Sequence, residues 1–238
     1  FCEYEEVMAD TDKAGKVLRT IRERMGEDAA VMIARAAACP DKDKADLIYR
    51  MIVLGRHLKD GHRITGMLGN PVMQRMFELG RKAGNIAMRY IEIIRFQELD
   101  SGALLAVIDP EADVLALIAP HFSNRLPLEN WMIYDRRRQK AVIHPAGKGW
   151  FLVEEVDERS VLEAEMSHEE AWYGELWKCF FKTLTIEARV NQKLQTSLIP
   201  LKYRDFMKEF QNESLREDCE KCQNKEMKQE SEKQISQK

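Results

Sequence analysis

The segment WMIYDRRRQKAVI, residues 131–143, decides the fold class, because it reads as two short apolar strands around a charged turn. Residues 131–134 and 141–143 are rich in aromatic and aliphatic side chains of the kind that favours strands. The charged run between them, residues 135–140, is typical of an exposed turn. We therefore predict a β-hairpin here, and with it a sheet in the middle of the chain.

Two more strands are expected beside this hairpin. Residues 104–108 form a short apolar run bounded by Ser-Gly before it and Asp-Pro after it. Residues 150–153 form another, reached through the turn at residues 147–149. Together with the hairpin, these runs predict a small central antiparallel sheet.

Helices are predicted on both sides of the sheet. Apolar residues recur at helical spacing in the ranges 10–25, 27–38, 41–58 and 70–96, and between the strands in 113–126. A later helix begins with the capping-box pattern of Ser167 and Glu170 and is expected to extend through a buried apolar stripe. That stripe comprises Trp172, Leu176, Phe180 and Leu184, and a last helix is expected over residues 201–210.

The predicted fold class is therefore α+β. A helical N-terminal region covers residues 1–98, and the antiparallel sheet with the C-terminal helices covers residues 99–210. These two regions are expected to form one continuous domain. Glu, Lys and Gln dominate residues 211–238, and such a composition buries too little apolar surface to fold, so we expect a disordered tail.

Composition narrows the classes of function. The net charge of −3 over 238 residues argues against a strongly basic nucleic-acid coat, although it permits a local basic patch. The apolar runs are too short to span a bilayer and no secretory signal opens the chain, so we expect a cytoplasmic protein that does not bind membranes. Because the first residue is Phe1, we expect a fragment or a processed product.

The five cysteines predict free thiols, because their number is odd and their spacing irregular. Cys219 and Cys222 form half of a zinc or redox pattern, but no histidine and no second pair lies near them in sequence. We therefore predict neither a metal site nor a cofactor.

Several motifs resemble one known family. They are IAPHFSNR at 118–125, WMIYDR at 131–136, LWK at 176–178, IEARVN at 186–191, LQ at 194–195 and PLKY at 200–203. They are similar to a domain-of-unknown-function family of probable DNA metabolism or repair proteins, and the similarity extends from residue 1 to about residue 210. The resemblance implies a radical-SAM partner with a DNA-repair-like role, and some members are fused to a uracil-DNA-glycosylase-like domain.

The chain departs from that family at two places. Ile86 and Met88 stand where the family carries an acid and a histidine, and Glu187-Ala188-Arg189 replaces a Lys-Glu-Arg run. If the lost residues were catalytic, this member is altered or inactive. If they were packing or surface residues, nothing follows.

Polar residues of the motifs are candidates for nucleic-acid or phosphate binding: Arg125, Arg136, Arg138, Arg189, Asn191 and Lys202. His121 and Arg125 are four residues apart, share a helix face and resemble a phosphate clamp, although a solvated pair has the same spacing. The basic turn is suited to contact a DNA backbone, although charged residues also favour turns for their own sake.

Three hypotheses follow for the function. The first is a DNA-metabolism accessory protein that binds DNA or a damaged base and acts with the radical-SAM partner. The second is a DNA-acting hydrolase or glycosylase-like enzyme in which His121 and an acidic neighbour such as Asp135 transfer protons. The third is an adaptor for the radical-SAM enzyme that never contacts DNA, and it requires an exposed apolar patch. The oligomeric state stays open.

Overall fold

The computed structural model describes residue 8 and residues 10–185, 191–204 and 206–210. Two compact units divide the chain. The first contains the chain up to Arg89 together with Pro110–Leu117, and the second contains Tyr90–Asp109 and the chain from Ile118 onward. The division between two regions at residue 98, and their expected union in one continuous domain, stay predictions.

The first unit is helical. Its elements are α1 (Thr11–Met25), α2 (Glu27–Ala38), α3 (Lys44–His57), a 3-10 helix (Gly61–Gly66) and α4 (Pro71–Ile93), of which the last residues belong to the second unit. Asp10 caps α1, because its carboxylate accepts a hydrogen bond from the backbone N–H of Lys13 at 2.9 Å. The predicted helices are confirmed, with ends that differ by a few residues.

Methionine and small residues fill the core of the first unit. Met51, Met73 and Met76 are fully buried, and so is Cys39. The Cys39 thiol donates to the carbonyl of Leu79 at 3.1 Å, and burial raises its pKa above the ordinary value. Unbranched methionine side chains adapt to irregular gaps, which suits a core made where several short helices meet.

The second unit is built on a five-stranded sheet. Its strands are β1 (Gln97–Glu98), β2 (Leu104–Ile108), β3 (Trp131–Asp135), β4 (Lys140–His144) and β5 (Phe151–Val153), and they lie in sequence order. Helix α5 (Leu115–Arg125) connects β2 to β3. Among the described residues, further helices follow before a 3-10 helix at Lys208–Phe210: α6 (Glu158–Leu162), α7 (His168–Leu184), α8 (Gln192–Leu198) and α9 (Leu201–Arg204).

The α+β class and the β3–β4 hairpin are confirmed, but the sheet is mixed. Strands β2 and β3 are parallel, with Leu104 opposite Trp131 and Ile108 opposite Asp135. The expectation of an antiparallel sheet is wrong for this pair, because parallel neighbours need a long crossover connection and α5 supplies it. Trp131 and Tyr134 are both buried.

The predicted burial of the α7 stripe is wrong. Ser167 does cap the helix, since its hydroxyl accepts from the backbone N–H of Glu170 at 3.0 Å. However, Trp172, Leu176, Phe180 and Leu184 are 36% to 62% exposed. Helical periodicity shows that one face is apolar, but only tertiary contacts decide whether anything covers that face.

The last predicted helix is shorter than expected. Helix α9 ends at Arg204, and a separate 3-10 turn follows at Lys208–Phe210. The expected tail, residues 211–238, lies outside the described residues.

Free thiols are only partly observed. Cys39 is free, whereas Cys179 is disulfide-bonded, so the expectation is wrong for Cys179. A disulfide depends on Cβ atoms meeting in space, which spacing along the chain does not show. Cys2, Cys219 and Cys222 lie outside the described residues.

Two negative findings apply to the described part of the chain. None of its helices combines the length and the hydropathy needed to cross a bilayer. No three of its His, Cys, Asp or Glu side chains are grouped so that they would hold a metal ion.

Gly61→Ala is expected to destabilise the first unit by about 1–3 kcal/mol, because the added Cβ would overlap the backbone carbonyl of Arg24, which cannot move as a side chain does. Gly66→Ala, in the same 3-10 helix, meets no atom within 4 Å and is the matched control. The urea midpoint of each variant measures the difference. Equal midpoints for the two variants would contradict the close approach of Gly61 to α1.

Candidate functional site

The basic turn between β3 and β4 is neutralised by acidic neighbours. Its ion pairs are Arg136 with Glu158 at 2.6 Å, Arg137 with Asp109 at 2.7 Å, Arg138 with Asp135 at 2.9 Å, and Lys140 with Glu154 at 2.8 Å. Exposed pairs contribute little to stability. They do occupy the positive charges that contact with a DNA backbone would need, so the turn is a weaker candidate than its sequence indicates.

Asp135 organises this turn from its buried position. Its Oδ1 accepts hydrogen bonds from the backbone N–H groups of Arg137 and Arg138 at 3.0 and 3.2 Å. Its Oδ2 accepts from the Arg138 guanidinium at 2.9 Å. Burial raises the pKa of Asp135, while these hydrogen bonds oppose the shift. These three hydrogen bonds fix the conformation of the turn, so the Asp135 carboxylate has a structural role here.

Within the described part of the chain, His121 and Asp135 share no hydrogen bond and no ion pair. His121 is exposed on α5, and within the described part of the chain its ring contacts Phe122 edge-on, with centroids 5.1 Å apart. Phe122 in turn contacts Trp131, at 6.3 Å, which places this part of α5 beside the first residue of β3. Asp135 lies four residues beyond Trp131, about 13 Å further along the strand.

The other predicted binding residues are scattered. Arg125 ends α5, is exposed, and has no ion pair among the described residues. Asn191 caps α8, since its Oδ1 accepts from the backbone N–H of Leu194 at 2.9 Å. Lys202 is exposed, with its ammonium 5.1 Å from the centroid of the Tyr203 ring. Arg189 lies outside the described residues.

A cavity of about 580 Å³ in the second unit was missed by the sequence reasoning. The cavity is lined by four aromatic side chains, Phe96, Tyr173, Trp177 and Phe180. The rest of its lining is Leu176, Gly174 and four charged residues, Arg95, Glu170, Lys208 and Glu209. The aromatic residues of α7 are visible in the sequence, but only Leu176 and Phe180 of the cavity lining belong to the predicted stripe, and that stripe is predicted to be buried. Their role as cavity walls depends on the 3-10 helix at Lys208–Phe210, which packs against α7.

The charged residues of this cavity form two pairs. Arg95 donates to Glu209 at 3.4 Å, and Lys208 pairs with Glu170. The Glu209 side chain is only 5% exposed. Its Oε2 is buried and finds no hydrogen-bond partner within the described residues. An unpaired buried acceptor is rare in folded proteins, and here it lies in the wall of an aromatic cavity.

A basic groove of about 450 Å³ is a second missed feature, and it lies in the first unit. Lys16, Arg24 and Arg56 line it with Thr20 above an apolar floor, and no acidic residue contributes. Lys16, Thr20 and Arg24 follow one another at intervals of four along α1, a signal that the sequence contains. Arg56 comes from α3, and only the packing of helices brings it there.

Apolar side chains are also exposed on the C-terminal helices, outside the cavity wall. We call Trp172, Leu184, Leu194, Leu198 and Leu201 the C-terminal apolar surface. Each of them is 49% to 65% exposed. Scattered exposed leucines are ordinary, but five large exposed apolar side chains between residues 172 and 201 favour a protein-binding region if they form one patch.

Comparison with known proteins identifies a family without a known activity. The family model described as domain of unknown function DUF4130 matches residues 42–209. No curated protein and no solved structure matches the chain. The matched range includes every residue that lines the aromatic cavity, whereas α1 of the basic groove precedes it.

Asp135→Asn is expected to change how stability depends on pH. Burial raises the pKa of Asp135 above its ordinary value of 3.8, so the folded protein binds this proton more tightly than the unfolded chain does. The favourable contribution of Asp135 is complete below pH 3.8 and is lost as the pH rises through the folded-state pKa. Asparagine does not titrate and keeps an acceptor for the two backbone N–H groups.

We therefore expect the wild type to lose stability relative to Asp135→Asn as the pH rises from about 3.5 to about 7. Urea titration at each pH measures the free energy of unfolding of both proteins. Glu154→Gln is the control of opposite sign, because the hydrogen bond from Lys140 lowers the pKa of Glu154. A wild-type protein that gains stability relative to Asp135→Asn as the pH rises would refute the expected shift.

Proposed function

The chain belongs to the DUF4130 family of domains of unknown function, and we propose that it is an accessory protein of DNA metabolism that binds a radical-SAM partner enzyme. The C-terminal apolar surface carries this proposal. It lies within the range that the family model matches. The identity of the partner rests on the resemblance of the motifs between residues 118 and 203 to DNA-metabolism proteins with such a partner.

The physical argument for binding a protein is the cost of leaving this surface in water. Each of its side chains would gain free energy on burial, at roughly 25 cal/mol for each Å² of apolar area removed from water. Large exposed side chains of this kind supply the apolar centre of interfaces, where aromatic residues are also enriched. Trp172 is the aromatic member of the surface.

Direct contact with DNA is a second candidate function, and the basic groove favours it. Lys16, Arg24 and Arg56 are exposed, and none of them has an ion pair among the described residues. Unpaired cations on one surface are the electrostatic footprint of phosphate binding. For this candidate function, the site of DNA contact is the basic groove, because the cations of the hairpin turn are paired with acidic residues.

The hydrolase hypothesis receives less support than the other two. Its two named groups, His121 on α5 and Asp135 on β3, share no hydrogen bond among the described residues, and the Asp135 carboxylate is occupied by Arg138. A cytoplasmic location and the role in DNA metabolism stay predictions from sequence and resemblance.

Replacing Leu194 and Leu198 together by Glu is expected to weaken binding of the radical-SAM partner at least tenfold, because two charges would have to be buried in the interface. Both leucines are exposed on α8, so the variant should fold normally. Co-expression with the partner, followed by titration calorimetry of the purified pair, measures the dissociation constant.

The matched control for docking is Leu68→Glu, which changes an equally exposed leucine in the first unit. It should bind the partner as the wild type does. Absence of a complex in the wild type, or equal affinity for both variants, would remove the support for this surface.

Replacing Arg24 and Arg56 together by Gln is expected to weaken binding of a DNA duplex several-fold at low salt and to lower the slope of log K against log salt by about two, one for each lost phosphate contact. Fluorescence anisotropy at several salt concentrations provides the measurement. Arg19→Gln, on α1 but outside the groove, is the control and should retain the wild-type slope. DNA affinity that is independent of Arg24 and Arg56 would contradict this candidate.

A further inference from the structure

The aromatic cavity of the second unit has the chemistry of a ligand site, and we propose that it binds a neutral, planar heteroaromatic ring that donates an N–H group. Nucleobases belong to this chemical class. The inference goes beyond partner binding, because no residue of the C-terminal apolar surface lines the cavity. It concerns a separate set of side chains on α7 and the last 3-10 helix.

The walls of the cavity favour a flat ligand. Tyr173, Trp177 and Phe180 are 44% to 57% exposed, so each ring leaves part of its surface open to another molecule. Trp177 and Phe180 are tilted by 32°, with centroids 5.9 Å apart. Aromatic faces of this kind attract planar π systems by stacking. The volume of about 580 Å³ suits a ligand of small-molecule size.

The unpaired oxygen of Glu209 requires a donor. Its Oε1 accepts from Arg95 at 3.4 Å, whereas its Oε2 is buried with no partner among the described residues. Leaving a buried acceptor unsatisfied is costly, so a ligand that draws this carboxylate toward the cavity and donates a hydrogen bond to it gains more than an apolar ligand would. Backbone carbonyls of Glu92 and Ile93 accept from Arg95 at 3.2 Å and hold its guanidinium in place.

The balance of charge decides between a neutral and a cationic ligand. The cavity contains two carboxylates and two cations, and they are already paired as Arg95 with Glu209 and Lys208 with Glu170. A guanidinium or ammonium ligand would add an uncompensated positive charge beside Arg95, and burying such a charge is unfavourable. A neutral N–H group satisfies Glu209 without that cost.

The proposal is tested by titrating the full chain, without any partner, with a set of methylated adenines. The probe is 9-methyladenine, whose N–H donors are both on the exocyclic nitrogen. N6,N6,9-trimethyladenine has the same ring and no N–H donor, while N6,9-dimethyladenine keeps one donor and has intermediate bulk. Chemical-shift changes of the Trp177 indole report binding.

We expect trimethyladenine to bind at least tenfold more weakly than 9-methyladenine, as is usual when a hydrogen bond to a charged group is lost. Dimethyladenine should stay within a few-fold of the probe. Replacement Glu209→Leu should make all three ligands bind with equal affinity. The thermal unfolding midpoint confirms that this variant is folded.

Two further variants keep the proposal testable even if Glu209→Leu does not fold. Trp177→Ala should weaken all three ligands alike, because it removes a stacking surface and leaves the acceptor. Leu128→Ala, at an exposed position of the same unit but outside the cavity, should change nothing. In these two variants the indole signals of the remaining tryptophans and titration calorimetry report binding.

Three results would overturn the proposal. They are absence of binding of 9-methyladenine at millimolar concentration, equal affinity of the wild type for the probe and trimethyladenine, and tighter binding of methylguanidinium than of the probe. The last result would point to a cationic side chain of a partner protein. Since no partner is present, a failure here is distinct from a failure of partner docking.

Discussion

The parallel pairing of β2 with β3 is the constraint on which the second unit depends. Five residue pairs, from Leu104 opposite Trp131 to Ile108 opposite Asp135, align two strands that are distant in sequence. The connection has to cross from one end of the sheet to the other, and α5 provides that crossover. Backbone pairing continues past the strand end, where Arg136 donates to the carbonyl of Ile108 at 2.9 Å.

The same pairing explains why the basic turn is neutralised. Asp109 directly follows β2 and Arg137 is the second residue after β3, so the aligned strand ends bring the two side chains within 2.7 Å. Asp135, at the end of β3, then closes the turn through the backbone N–H groups of Arg137 and Arg138. The arginine cluster predicts a DNA contact from the sequence, whereas in the folded unit these arginines pair with acidic residues around the hairpin turn.

The features suited to binding are built mainly from helical segments. The aromatic cavity and the C-terminal apolar surface use α7 to α9, the last 3-10 helix and the residues before β1, and the basic groove uses α1 and α3 of the first unit. The cavity combines open aromatic faces with an unpaired buried carboxylate oxygen, and the groove combines cations with an apolar floor. These arrangements favour different ligands, so the two can be tested independently of each other.

The sequence by itself determined the local elements. Helical spacing identified α1 to α4, the aromatic and aliphatic runs identified β2 to β4, and the charged segment between them identified the hairpin turn. These features depend on interactions between residues close in the chain, which a single sequence records. The family resemblance also depended on local motifs, and the match over residues 42–209 confirms membership of a family of unknown function.

Only the tertiary structure decided which of these residues share a site. The strand direction of β2 and β3, the exposure of the α7 stripe and the neutral state of the basic turn all follow from contacts between distant segments. Arg56 lines the same groove as Lys16 and Arg24 because α3 packs near α1. Glu209 lines the same cavity as Trp177 because the last 3-10 helix packs against α7. A periodic pattern specifies which face of an element is apolar or charged, whereas burial and pairing depend on what the rest of the chain places opposite that face.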